Sequence, residues 1–287
     1  MKKISVLVID DSALVRKLLT DILNSDPGIE VVATAADPYQ AREKIKAHHP
    51  DVLTLDVEMP KMDGITFLAN LMRLRPMPVV MISTLTEKGA EITLEALNLG
   101  AVDFLEKPKL DLNNTLADYA QEIISKVKVA AGANVRPVQT ASKPGPLKPE
   151  GAKTIRPRQL SQLKTTEKII AIGASTGGTE AIKEVLCALP PVCPGIVVTQ
   201  HIPALFSAAF ANRVNSMAQL SVKEAEDGEQ ILPGHAYVAP GDKHLLVARS
   251  GARYFCRLDD GDPVSRHKPS VDVLFGSVAK NVGSNAI

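Results

Sequence analysis

Short apolar runs alternate with amphipathic stretches from Lys3 onward, and this alternation restricts the fold more than any other property of the sequence. ISVLVI is followed by LVRKLLTDIL, EVVATA by YQAREKIKAH, DVLTLDV by ITFLANLMRL and PVVMIS by EITLEALNLG, before AVDFLEKP closes the series. The apolar runs have the length and β-branched content of buried strands, and the stretches between them repeat apolar residues at helical spacing. Strand and helix in strict succession predict parallel strands joined by right-handed crossovers, an α/β doubly wound sheet. A further helix is expected over residues 111 to 129, where Leu112, Leu116, Tyr119, Ile123, Ile124 and Val127 fall on one face. In such a sheet, functional groups collect at the carboxyl ends of the strands.

The pattern then breaks. Residues 133 to 166 hold five prolines and seven Lys or Arg against a single Glu150, too little apolar surface to form a core, so a solvated tether is expected. No aromatic is interleaved with the basic residues, which argues against a nucleic-acid arm. A second α/β pattern follows, with KIIAIGAS, a helix over residues 179 to 189, GIVVTQHI, HAYVAPG and HLLVARS. The expected organisation is two doubly wound parallel-sheet domains, residues 1–130 and 167–287, joined by a Pro-rich basic linker at 131–166. With 287 residues and 45% apolar content the chain can build both cores. A net charge of +1 provides no basic field for nucleic acid. Cys187, Cys193 and Cys256 lack metal-ligand spacing and are expected as reduced, buried small hydrophobes. The first apolar run stops at an Asp pair, too early for a signal peptide or a membrane span, so a cytoplasmic location without membrane insertion is expected.

In the first domain Asp10 and Asp11 follow the first predicted strand, Asp56 the third, Ser83 the fourth and Lys107 the fifth. Three carboxylates converging at one sheet edge repel one another unless a hard cation lies among them, and Mg²⁺ takes oxygen ligands of this kind. One carboxylate is then placed to accept a phosphoryl group whose charge the Lys107 ammonium and a hydroxyl share. The pieces VLVIDDSALVR, DVLTLDVEMPKMDG, VVMIST and FLEKP resemble the receiver domain of two-component response regulators, a flavodoxin-like fold. That resemblance implies phosphorylation of Asp56 and phosphate contacts from Ser83 and Lys107. It also implies Mg²⁺ held by Asp10, Asp11, Asp56 and the main-chain carbonyl of Glu58, and a cis bond between Lys107 and Pro108.

The second domain opens with IIAIGASTGGTE. Gly173, Ser175 and Gly177 fit G-x-S-x-G, a strand-to-helix turn that raises a serine hydroxyl above a sheet. A phosphate loop would need a Gly-Lys pair, and a dinucleotide fingerprint would need glycine at 175, so those readings fit poorly, although a helix start can still bind an anion. A lone motif of this kind is also compatible with an ordinary capped turn. The next predicted strand, GIVVTQ, ends at His201, and neighbouring parallel strands would bring that imidazole toward Ser175 as its base. Backbone N–H groups at Thr176 and Gly177, taken as the opening of the helix, would face a developing oxyanion. His235, His244 and His267 are expected to be structural or surface residues.

IGASTGGTEAI, TQHIP, GHAYVAPGDKHLL and PSVDVLF, in that order behind a receiver and a linker, resemble the chemotaxis response regulators that are protein-glutamate methylesterases, the CheB family. The resemblance implies Ser175 as nucleophile, His201 as general base and Thr176 in the oxyanion hole, with no cofactor for the esterase. It implies methylated glutamates of chemoreceptors as substrates, glutamine deamidation in some members, and phosphorylation by the histidine kinase CheA to relieve a receiver that covers the active site. The family's acidic triad residue lies in a GMGxDGA motif absent here, so it is expected beyond Ile287, in a longer protein of which this chain is a piece with an incomplete second domain, itself inactive. Asp272, Asp259, Asp260 and Asp262 are not assigned to that role. The competing expectation is a receiver-linked binding module that docks to the receptor array without catalysis.

Overall fold

The structure, a computed structural model, describes residues 2–84, 86–107, 115–135 and 168–287. The Pro-rich segment, the Lys107–Pro108 bond and Leu112 lie outside the described residues or at their edge.

The first sheet has β1 (Ile4–Ile9), β2 (Ile29–Ala35), β3 (Val52–Asp56), β4 (Val79–Ser83) and β5 (Asp103–Glu106) in the order β2-β1-β3-β4-β5. All four ladders are parallel, which is the flavodoxin-like order. The intervening helices are α1 (Ala13–Asn24), α2 (Pro38–His48), α3 (Gly64–Leu74), α4 (Glu87–Asn98) and α5 (Thr115–Ala131). Caps fix their starts: Ser12 Oγ accepts from Val15 N, Asp37 from Tyr39 N and Gln40 N, and Asp63 from Thr66 N. One face of the sheet buries Val6, Val8, Val52 and Val80 against Leu19 and Leu23 of α1 and Ile123 and Val127 of α5. Burial of those α5 residues follows the helical spacing in the sequence, whereas Leu116 on the same helix is 38% exposed.

The second sheet contains β6 (Ile169–Ala174), β7 (Gly195–Gln200), β8 (Ser221–Glu224) and β9 (His235–Val238) in the order β6-β7-β9-β8. The β7–β9 and β8–β9 ladders are parallel. Helices α6 (Gly178–Ala188) and α7 (Ala204–Met217) follow β6 and β7. A departure from the purely parallel expectation is the antiparallel hairpin β10 (His244–Ser250) and β11 (Arg253–Asp259), which precedes α8 (Val271–Asn281). Leu245, Val247, Tyr254 and Cys256 of the hairpin pack with Leu274 and Val278 of α8 and with Val197 and Tyr237 of the sheet. Ser277 Oγ accepts from Val247 N and donates to Leu274 O, tying α8 to β10. The outer edge of β6 is partly covered: Ile287 N donates to Ile169 O and Ala171 N to Ile287 O, a parallel pairing of the last residues with the strand.

Contacts divide the chain into two compact units that do not follow the sequence boundary. Among the described residues, one gathers those up to 135 with 174–184 and 201–210; the other holds the rest of 168–287. The segments bearing Ser175 and His201 therefore cluster with the first sheet. Cys193 and Cys256 are buried as expected and Cys187 is half-buried; all three are free thiols. No described helix is long and apolar enough to cross a membrane.

Candidate functional site

The doubly wound topology delivers the predicted groups of the first domain to one edge. Asp10 follows β1, Asp56 ends β3 and Ser83 ends β4. Asp10, Asp11 and Asp56 each place a carboxylate oxygen within 4.8 Å of the others. Lys107, just after β5, sets its Nζ 2.7 Å from Asp56 Oδ2 and 3.3 Å from Asp10 Oδ2, while its backbone N donates to Ser83 O at 2.8 Å. Glu58 N donates to Asp56 Oδ1 at 3.2 Å. Asp10, Asp56 and Ser83 are almost wholly buried and Asp11 is exposed.

Burial dominates the electrostatics. It pushes the Asp56 carboxyl up to about 6, with the negative Asp10 adding to the rise and the Lys107 hydrogen bond opposing it. Burial also raises Asp10, against the pull of Lys107. For Lys107, burial works against the charge, but the hydrogen bond and charge of Asp56 outweigh it and hold the ammonium above its ordinary value. Three acids facing one lysine leave negative charge uncompensated, and Asp10 Oδ2 is buried with no well-formed hydrogen bond among the described residues, the Lys107 ammonium standing 3.3 Å away. Such an all-oxygen set suits a hard divalent cation.

Sequence reasoning missed the residues that hold this edge in place. Arg16 Nη1 donates to the carbonyls of Asp10 and Asp11 at 2.7 and 2.9 Å. Gly64 lets α3 start against Asp56: a Cβ there would lie 2.1 Å from Asp56 O. The Met-Asp-Gly run was a signal for the second of these.

Ser175 follows β6 and His201 follows β7, neighbours in the second sheet. His201 Nδ1 lies 3.1 Å from Ser175 Oγ, and His201 N donates to Ala174 O at 3.3 Å. Both glycines of the motif have local reasons. Gly177 adopts φ +74°, which an L side chain resists, while a Cβ on Gly173 would sit 2.4 Å from Val271 Cγ1 of α8. The left-handed residue of the turn is Gly177; Ser175 itself has no positive φ. Thr176 and Gly177 lie in the turn, with Gly178 N donating to Ser175 O at 2.7 Å, so α6 opens at Gly178 and not at Thr176. This corrects the placing of Thr176 and Gly177 at the helix opening, because the left-handed Gly177 cannot continue a helix, while the expected helix over residues 179 to 189 agrees with α6 to within a residue.

The other histidines and acids behave structurally. Buried His244 engages Asp262 O through Nε2 and accepts from Ser270 N through Nδ1, and His235 meets Pro233 O. Asp272 sits exposed in the first turn of α8 and accepts from Ser265 Oγ at 2.6 Å; Asp260 pairs with Lys268. Contacts from β5 and α4 reach the segments bearing the pair. Phe104 of β5 stacks on Phe206 of α7 with ring centroids 4.6 Å apart, and Lys183 Nζ of α6 meets Asn98 Oδ1 at 3.1 Å.

An acid cluster of receiver type, together with a serine and histidine at adjacent parallel strand ends, defines a response regulator with a hydrolase-type output domain. Family models agree: "Response regulator receiver domain" matches residues 6–117 and "CheB methylesterase" residues 170–287. The chain is 58% identical over 310 aligned positions, spanning 100% of its length and 82% of the relative, to the protein-glutamate methylesterase/protein-glutamine glutaminase of Hydrogenovibrio crunogenus. It is 59% identical to protein-glutamate methylesterase/protein-glutamine glutaminase 1 of Xanthomonas campestris pv. campestris, over 99% of this chain and 79% of that one. The response regulator domain of Thermotoga maritima CheB is 44% identical over 46% of this chain and 99% of that one, with a TM-score of 0.42. The chain belongs to the CheB protein-glutamate methylesterase family.

Proposed function

We propose that this chain is the phosphorylation-controlled part of chemotactic adaptation that hydrolyses glutamate methyl esters on chemoreceptors and deamidates receptor glutamines. The observation that carries the reading is the 3.1 Å approach of His201 Nδ1 to Ser175 Oγ at neighbouring strand ends. At that distance the imidazole takes the hydroxyl proton as Oγ attacks the ester carbonyl. Backbone N–H groups of the Thr176 turn receive the oxyanion, the imidazolium returns its proton to departing methanol, and water then cleaves the acyl-serine by the same route. For glutamine the leaving group is ammonia.

Because Nδ1 faces the serine, a carboxylate partner would act on Nε2. The domain limits 1–130, 131–166 and 167–287 belong to the same proposal.

Asp56 is the phosphoryl acceptor, with CheA as donor, in the cytoplasm. Asp10, Asp11, Asp56 and the Glu58 carbonyl would hold Mg²⁺, which when bound neutralises phosphoryl charge. Lys107 and Ser83 then contact the transferred group. Phe104 lies three residues before Lys107 on β5, so a shift of Lys107 toward a phosphoryl group bears on the Phe104–Phe206 stack beside the His201 segment. That contact supports a receiver that restrains the serine–histidine pair until it is phosphorylated.

Labelling by a serine-directed fluorophosphonate tests the nucleophile. The adduct is expected on Ser175, absent in Ser175→Ala and reduced at least tenfold in His201→Ala; an adduct elsewhere, or undiminished labelling in Ser175→Ala, contradicts the assignment.

A further inference from the structure

We propose that the ion pair between Lys61 and Asp37 is a strap that positions the β3–α3 loop over the phosphorylation site, making Lys61 a positioning residue for metal binding and phosphoryl acceptance. The inference rests on the reading of Asp56 as the phosphoryl acceptor.

The loop leaves the sheet at Asp56 and returns at Gly64, and its base is pinched: Gly64 N donates to Val57 O at 2.9 Å. Its tip includes Lys61 at φ +71°, a left-handed conformation that glycine or asparagine adopts more cheaply. Lysine is therefore a poor choice for the backbone, and what it adds is the ammonium. Lys61 Nζ lies 2.7 Å from Asp37 Oδ2 and 6.0 Å above the Tyr39 ring. Among the described residues, no other side chain of residues 58–62 forms an ion pair.

The anchor at the other end is rigid. Asp37 is 5% exposed and its Oδ1 caps α2 through Tyr39 N and Gln40 N, both at 2.9 Å. The topology gives this pair its consequence. Asp37 follows β2, Lys61 follows β3, and β1 lies between them. A link from one to the other crosses the carboxyl end of β1, where Asp10 and Asp11 stand. Adjacent strands are about 4.8 Å apart, so the strap bridges about 10 Å above the acid cluster. The loop it holds carries Glu58, whose N–H donates to Asp56 Oδ1. Lys61 itself is 59% exposed in its side chain, so the pair adds little to global stability, and its effect falls on the order of the loop.

The test uses the full chain and four substitutions: Lys61→Ala, Lys61→Gly, Lys61→Arg and Asp37→Asn, the last retaining a capping acceptor. Amide exchange of residues 58–62 is measured in metal-free buffer, the Mg²⁺ dissociation constant by calorimetric titration, and KM and kcat for autophosphorylation by acetyl phosphate. Lys61→Ala and Lys61→Gly should speed loop exchange and weaken Mg²⁺ by about threefold, raise KM by a similar factor and leave kcat within about twofold. Lys61→Arg should restore all three, and Lys61→Ala combined with Asp37→Asn should do no more than either alone. Lys61→Gly with parental exchange and Mg²⁺ affinity, or additive effects in the double variant, would overturn the strap. Loop exchange responding as expected in a parent that binds no Mg²⁺ would uphold the strap and sink the metal reading.

Discussion

Replacing Asp56 by Asn should make the metal-free protein more stable at neutral pH, although the substitution removes the residue assigned to phosphoryl transfer. Asp56 is 1% exposed, and burial lifts its carboxyl from 3.8 to about 6. The folded state therefore binds a proton more tightly than the unfolded state between those values, so stability falls as pH rises through that window. At about 1.4 kcal/mol per pH unit, holding the carboxylate ionised above pH 6 costs roughly 3 kcal/mol. Asn avoids that cost but leaves Lys107 with Asp10 alone, at 3.3 Å, which offsets part of the gain. A net stabilisation of about 1–2 kcal/mol is expected at pH 7.5, shrinking to nothing below pH 4. Calorimetry of the full chain in EDTA should show one transition raised by about 4–12 °C in the variant. Mg²⁺ at one hundred times its dissociation constant should raise the same transition in the parent by about 2.7 kcal/mol and leave the variant nearly unmoved. A variant less stable than the parent at pH 7.5, or a difference independent of pH, would refute the claim that buried negative charge is held at this edge against its own electrostatics.

Other consequences follow from single contacts. Gly64→Ala would place a Cβ 2.1 Å from Asp56 O; a loss of at least about 2 kcal/mol is expected in chemical denaturation, together with slower autophosphorylation. Gly173→Ala meets Val271 Cγ1 at 2.4 Å, and its destabilisation should be largely relieved by adding Val271→Ala. Ser277→Ala strands the buried Val247 N–H and should cost about 1–3 kcal/mol in denaturant titration. Phe206→Ala removes the ring stacked on Phe104 and should raise basal methanol release without changing the phosphorylation rate of Asp56; unchanged basal release would count against restraint through this contact.

The sequence made the first sheet legible because four of its five strands end in or lead into a residue whose chemistry is wasted in a loop: Asp10, Asp56, Ser83 and Lys107. Topology alone then fixes their meeting. The approach of Ser175 and His201 was legible for the same reason, since both follow apolar runs that are neighbours in one sheet. What escaped the sequence depends on through-space partners. SVKE is short, with Val222 as its one apolar residue, and gave no strand signal, yet it forms the edge strand β8 by pairing with β9. Nothing in the spacing of Phe104 and Phe206 announces that they stack. Lys61 carries no glycine signal for its left-handed backbone, because a side-chain ion pair with Asp37, 24 residues away in sequence, holds it there. Which imidazole nitrogen faces Ser175 is likewise set by ring orientation and not by composition.

The central claim is that a serine–histidine hydrolase is controlled from Asp56, and methanol release from methylated receptor measures it most directly. The assay is made in the protein extended to the length of its relatives, with and without acetyl phosphate and Mg²⁺. Release should rise on adding the donor, lose that response in Asp56→Asn, and fall to background in Ser175→Ala. A donor response that survives Asp56→Asn, or release that survives Ser175→Ala, would contradict the account.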